Sequence, residues 1–303
     1  MQKVSSVNAE AIAWVATSTA IFSFIFASGK FAGDSASVFE INFLRQIGGF
    51  LTLAAITAFK GESLRHYHSR RPIAHFLRAI FGVGGSLAVI QSSAHMPIID
   101  ATAMSLLYVV FVIILGVLIF GERIGRRQGS GMLICGAGAL TIMLSRGAFQ
   151  HLDPAYIQPA LLAMSGAAMF ALEGVFIKIL SQSDRPMTVL LHVNIFGLLL
   201  LALPAFLVWK PLPMTWILGF VLLGPLGIAG QYCTIRGYRM ADISIVGPVD
   251  YSWLVFAALI GFIFFGEIPT FGVAIGAALI AGGGIVLATL RPAREKQPTL
   301  EMQ

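Results

Sequence analysis

Hydrophobic and polar positions along this chain resolve into apolar stretches of roughly 20 residues, parted by short breaks rich in Arg, Lys, Gly and Pro. Ten such stretches fall near 11–29, 38–59, 72–94, 98–120, 127–145, 156–179, 186–209, 213–235, 242–265 and 269–290. A helix rising about 1.5 Å per residue needs about 20 apolar residues to cross a hydrocarbon core about 30 Å thick. Barrel strands would instead alternate polar and apolar positions over about ten residues. The pattern predicts an all-α, polytopic membrane protein of ten transmembrane helices, with little chain left for a soluble domain.

Composition points the same way. Hydrophobic residues make up 57% of the 303 and charged residues only 11%, and the mean hydropathy is +0.85, outside the range of soluble domains. The first stretch is long for a signal peptide, lacks a clear small-x-small cleavage site and precedes nine more spans, so it is read as retained. Cys135 and Cys233 fall inside predicted spans and form neither a disulfide framework nor a metal spacing; packing is the simpler role. No cofactor motif is present, and no Gly-x-x-x-x-Gly-Lys-Ser/Thr loop for ATP. The net charge of +6 sits in short connections rather than in an aromatic-interleaved stripe, which argues against nucleic acid as a partner.

Those connections carry a topology signal. Fifteen of the 20 Lys and Arg side chains collect on one side of the ten-span arrangement, among them Lys3, Arg65, Arg123, Arg236 and Lys296, and only Lys30, Arg146 and Lys210 on the other. Positive residues are retained in the cytoplasm, so both termini are predicted to be cytoplasmic. The chain also repeats itself. Gly116-Val117-Leu118-Ile119-Phe120-Gly121-Glu122 is echoed 145 residues later by Gly261-Phe262-Ile263-Phe264-Phe265-Gly266-Glu267, and a small-residue-rich span follows each copy. The expected division is a first half over 1–150, a second over 151–291 and a cytoplasmic tail over 292–303. Five spans per half is an odd number, so the halves must be inverted, an architecture in which two similar units expose one midplane site to each side in turn.

At these positions the sequence resembles the EamA-type permeases of the drug/metabolite transporter superfamily. The carriers of the resemblance are the paired Phe-Gly-Glu turns, the small-residue spans after them, and the segments Ala94-His95-Met96-Pro97 and Gly237-Tyr238-Arg239-Met240-Ala241. Gly247-Pro248-Val249-Asp250-Tyr251 looks like a subgroup that includes bacterial riboflavin and S-adenosylmethionine uptake carriers. The resemblance implies a secondary carrier in a bacterial inner membrane, ten helices in two inverted repeats and a central cavity for a small metabolite. Riboflavin is the first substrate it suggests, ahead of S-adenosylmethionine or export of amino acids and other metabolites.

Inverted topology separates Glu122 from Glu267 across the membrane, so they cannot act together as acid and base and are read as structural turn residues. Suspicion moves to ionisable groups inside spans, which are costly and face a bundle interior or a water-filled cavity. These are Arg45, Arg78, Glu173, His192 and Asp250. Asp250 lies roughly 12 Å and Arg78 about 9 Å from the cytoplasmic ends of their spans. Pro248 is expected to kink span nine and free a carbonyl. Arg78 is expected to pair with Asp250 or Glu173, or else to snorkel to the interface. A partner for Arg45 is expected on another helix, and His192 and Asn194 are read as packing or interhelical hydrogen-bond residues.

A planar cargo would be walled by aromatics. Candidates are Tyr108, its counterpart Trp253 at the 145-residue offset, Tyr251, Phe22, Phe26 and Phe170, each of which could instead face lipid or core. Gln91 with His95, and Gln231 with Tyr232, add uncharged groups in corresponding parts of the two halves; interhelical bonding is the alternative. Gly272-x-x-x-Gly276 could seat a second copy as a homodimer or serve packing within one chain. A membrane enzyme would need clustered acids, a metal set or an activated nucleophile at one face, and no such cluster is legible.

Overall fold

The computed structural model describes residues 3–32, 35–62, 67–93, 95, 96, 98–150 and 154–290. Arg65, Ala94, Pro97 and the expected tail over 292–303 lie outside the described residues. The helices are α1 (Lys3–Ala32), α2 (Val38–Phe59), α3 (Pro72–Ser93), α4 (Ile98–Ser105), α5 (Tyr108–Phe120), α6 (Arg126–Ser145), α7 (Ile157–Ser183), α8 (Pro186–Leu207), α9 (Met214–Met240), α10 (Ile243–Val246), α11 (Ser252–Phe265) and α12 (Phe271–Ala288). They make ten segments long and apolar enough to cross a membrane. Large apolar side chains such as Phe59, Phe206 and Leu118 stand on the outside, as expected where lipid is the solvent.

The sequence reading took spans four and nine as continuous, with a kink at Pro248, and here the structure differs. Span four is two helices, α4 and α5, parted at Leu106-Leu107. Span nine is α10, a five-residue 3-10 segment over Gly247–Tyr251, and α11. Pro248, which lacks an N–H, falls in that segment. The two breaks occupy corresponding places in the two halves, because Tyr108 and Trp253 open α5 and α11 at nearly the same register.

Packing follows the repeat. α3 packs along α7, and its symmetry mate is α1 along α9; α5 on α7 is matched by α11 on α1, and α2 on α9 by α8 on α3. Two contacts map onto themselves, α2 on α8 and α6 on α12. The α6–α12 seam is made of glycine. A Cβ on Gly138 would lie 2.6 Å from the Gly276 carbonyl oxygen, and one on Gly283 would lie 2.7 Å from that of Gly131. Gly131 and Gly138 are the 145-residue counterparts of Gly276 and Gly283, so the backbones touch in a crossed, self-matched pair. Cys135 sits between them and donates to the carbonyl of Ile280, its own counterpart, at 3.6 Å. The small residues offered as a dimer seam are thus consumed within the chain; Gly272 likewise packs on Ser145.

Both Phe-Gly-Glu turns end a helix in the same way. Gly121 (φ +66°) and Gly266 (φ +67°) adopt the left-handed conformation that closes a helix and that a side chain would strain. Each following glutamate then folds back over the glycine that begins its motif, Glu122 over Gly116 and Glu267 over Gly261. Glu122 accepts from the backbone N–H groups of Ile243 (2.8 Å) and Ser244 (2.9 Å), so the first half caps the start of α10 in the second. Glu267 lies 3.6 Å from Arg146, which follows α6 at the other end of the bundle. The structural role expected of both residues is what the geometry shows.

Two stability predictions follow from these contacts. Glu122→Ala leaves two helix-start donors unpaired and is expected to cost about 1–2 kcal/mol, seen as a lowered melting temperature of the detergent-purified protein; Arg123→Ala serves as the control and should melt like the parent. Gly276→Leu must drive α12 off α6, costing about 1–3 kcal/mol or preventing folding, whereas Gly136→Ala, which meets open space, should be tolerated. Equal melting of the two glycine variants would contradict the seam.

Candidate functional site

The unwound segment of span nine sets the site. It packs against α1, α5, α6 and α12, so its loosened backbone faces protein and not lipid, the one setting in which a membrane interior tolerates it. Gly247, Pro248 and Val249 are buried, while Asp250 in the same turn is only half-buried. Hydroxyl-bearing side chains from three helices lie near its carboxylate. Thr19 on α1 donates to Oδ1 at 3.3 Å, and the Tyr108 and Tyr238 side chains lie close by. No basic side chain forms an ion pair with Asp250 among the described residues.

A second group lies alongside. Arg78 on α3 is completely buried, so it does not snorkel. One guanidinium nitrogen, Nη2, donates to Gln231 Oε1 at 2.6 Å, and Nε lies 3.9 Å from Glu173 Oε1 on α7. Of the two partners expected for Arg78, the structure brings it Glu173. Nε and Nη1 have no hydrogen-bond partner among the described residues, which leaves donor capacity in a dry setting where it is expensive to waste. Gly82 is what admits the Glu173 carboxyl, since a Cβ there would come within 3.0 Å of it. Tyr238 stands between the two groups, close to Asp250 and Glu173 and packed beside Gly174.

Aromatic rings flank these polar groups unevenly. Tyr108 meets Phe170 edge-on at 6.3 Å, and Phe170 presses on Gly85. Trp253 meets Phe26 edge-on at 4.8 Å, although Phe26 is 58% exposed and stands at the rim. Phe22 is half-buried against Gly230. Tyr251 is a correction: it is 8% exposed and belongs to the apolar core with Cys135 and Val249, because the tighter 3-10 turn swings it away from the face Asp250 uses. Gln91 is also not brought in. It lies exposed near the end of α3, its carbonyl 3.0 Å from the ring of His95.

Sequence reasoning missed Thr19 and Tyr238. Span one offers only Phe22 and Phe26 as sequence candidates, yet Ser18, Thr19 and Ser23 are all buried, with Ser18 bonded to Thr234 at 2.6 Å and to the Gly230 carbonyl at 2.9 Å. The run Thr17-Ser18-Thr19 was the available signal. Tyr238 stood in a segment used only for family likeness. Arg45 was expected to bond another helix; its hydrogen bond is to Asn42 on its own (3.2 Å), with the head over Gly227 of α9.

Nearer the face where α3 begins, a separate polar knot holds α3 to the α7–α8 junction. Asp184 accepts from Ser69 at 2.6 Å and lies 2.7 Å from His75 Nε2, and His192 stacks on His75 at 4.4 Å. Lys178, also buried, donates to the carbonyls of Tyr238 and Ala241 and so closes the end of α9.

Comparison with known proteins agrees with this architecture. A solved structure superposes with a TM-score of 0.76 over 94% of this chain and 98% of its own at 21% identity, which shows a shared fold. A riboflavin transporter from Rhizobium johnstonii is 29% identical, with 82% of this chain and 81% of the relative aligned. The pseudopaline exporter CntI of Pseudomonas aeruginosa is 28% identical over 91% and 93%, and an S-adenosylmethionine uptake transporter of Rickettsia prowazekii is 23% identical over 89% of each. Residues 9–144 and 158–289 each match the model of the EamA-like transporter family. Ten membrane-length helices in two matched halves, with one polar site where both broken spans meet, make this chain a multi-pass membrane transporter that belongs to the EamA-like transporter family.

Proposed function

We propose that the protein is a secondary carrier that moves a small organic metabolite across a bacterial inner membrane by alternating access, with both termini cytoplasmic. The observation that carries this reading is the matched pair of broken spans: α4–α5 and α10–α11 loosen at nearly the same register, and Tyr108 from one lies close to Asp250 from the other. Discontinuous helices at corresponding places of inverted repeats are where such carriers bind cargo. In this reading Arg78, Gln231 and Glu173 supply directional polar contacts, and Tyr108, Trp253, Phe22 and Phe170 offer flat surfaces to a planar ring.

Uptake of riboflavin is the first specific reading, supported by the relative from Rhizobium johnstonii and by the aromatic flanks. Export is the second, because the pseudopaline exporter aligns over more of the chain at nearly equal identity. The free donors of Arg78 suit a cargo with carbonyl or carboxylate oxygens under either direction.

Purified protein in proteoliposomes is expected to show counterflow of riboflavin or of another member of a panel holding S-adenosylmethionine and amino-carboxylate metabolites. No counterflow across the panel would overturn the carrier reading. Arg78→Met should remove transport and destabilise the fold by about 3–5 kcal/mol, since it strands Glu173. Adding Glu173→Gln should recover most of the melting temperature without recovering transport; recovery of both would reduce the pair to a structural role.

A further inference from the structure

Several carboxylates packed into this bundle are met by groups that can only donate. Glu40 accepts from the N–H groups of Ser37 and Lys210, both at 2.6 Å, Asp100 from Phe149 N–H at 2.7 Å, and Glu122 from two amides. Glu173 faces Arg78. Backbone N–H groups and guanidinium only donate, so these partners match the lone pairs of a carboxylate oxygen and cannot accept from a carboxylic acid.

Asp250 is built differently. Its hydrogen-bond partner Thr19 and its neighbours Tyr108 and Tyr238 all carry hydroxyls, and a hydroxyl can donate to a carboxylate or turn and accept from a carboxylic acid. The shell therefore fits both forms. No basic side chain pairs with Asp250 among the described residues: α1 contributes Thr19, α5 Tyr108 and α9 Tyr238, α6 Cys135 beside Tyr251, α10, α11 and α12 no titratable side chain, while on α7 Glu173 faces Arg78 of α3 and Lys178 is taken up by the carbonyls of Tyr238 and Ala241. The repeat counterpart of Asp250 at the 145-residue offset is Ser105, so this repeat position carries a carboxylate in one half only.

We propose that Asp250 binds the coupling proton of the transport cycle, making the carrier a proton-linked one. The proposal rests on the carrier reading above. One proton from water on one side bonds to a carboxylate oxygen, changing the charge at Asp250 from −1 to 0, and leaves to water on the other side; no other bond changes. With cargo in place and water displaced, closing the bundle around an unneutralised carboxylate leaves that charge without compensation. The loaded carrier therefore crosses only when Asp250 is protonated, while the empty one returns as the anion with water and the nearby hydroxyls about it, so one proton travels with each cargo molecule.

The test uses riboflavin, or the panel member that counterflow identifies, in proteoliposomes of the full chain. An imposed pH gradient of one polarity should drive accumulation above the outside concentration, about tenfold per pH unit if one proton accompanies each molecule. Equilibration alone under both polarities overturns the proposal, while counterflow measured without a gradient reports on the carrier reading separately. In Asp250→Asn, residual flux should be slower, non-concentrating and independent of pH; a variant that still concentrates, or keeps the parent pH profile, overturns it. Should Asp250→Asn fail to insert, Tyr108→Phe and Tyr238→Phe remove one hydroxyl each and keep the ring. Each is expected to move the pH midpoint of counterflow, and an unmoved midpoint in both counts against Asp250 as the proton's seat.

Discussion

An unpaired backbone amide cannot face hydrocarbon, and the structure is arranged around that prohibition. The described spans are interrupted at Leu106-Leu107 and over Gly247–Tyr251; Leu106 is buried, and the second segment packs on α1, α5, α6 and α12, which replace lipid with protein. Once loosened backbone must be enclosed, a space exists that lipid does not fill. Polar side chains that would be intolerable on the outside of the bundle, Asp250 foremost, then have somewhere to stand. The site is a consequence of where the helices break, and the breaks survive because both halves supply helices to cover them.

Charge is handled with the same economy. Glu122 spends both oxygens on the first amides of α10, Lys178 closes the last carbonyls of α9, and Glu40 joins its own capping box with Ser37 to the amide of Lys210. Helix ends are thus finished by side chains from other elements, often from the other half. Within the bundle, Arg78 and Glu173 hold opposite charges at similar depth, so the interior can carry ionised groups without a large net field.

How much of this was legible from sequence depends on the distance over which the cause acts. The spans were readable because hydrophobic length is a local property, and the inversion because five is odd and the Phe-Gly-Glu turns recur. Arg78, Glu173 and Asp250 stood out because charge in a span is rare. The details that failed are three-dimensional. Nothing local tells that Gly247–Tyr251 winds as a 3-10 turn, and a change of about 20° per residue between the two helix types sends Tyr251 into the core while leaving Asp250 half-buried. Thr19 escaped notice because a hydroxyl barely lowers hydropathy, and Gln91 attracted it because sequence position cannot tell the end of α3 from its middle.

The glycine seam has a further consequence. If the second working state of an inverted-repeat carrier is the first with its halves exchanged, any contact that the exchange maps onto itself is common to both states, and any contact mapped onto a different pair must trade places with it. The Gly131, Gly138, Gly276 and Gly283 crossing, centred on Cys135 and Ile280, belongs to the first kind, as does the α2–α8 contact. The α3–α7 and α1–α9 contacts belong to the second. Under the alternating-access reading proposed above, symmetry makes α6 and α12 the axle and the two long helix pairs the alternating jaws.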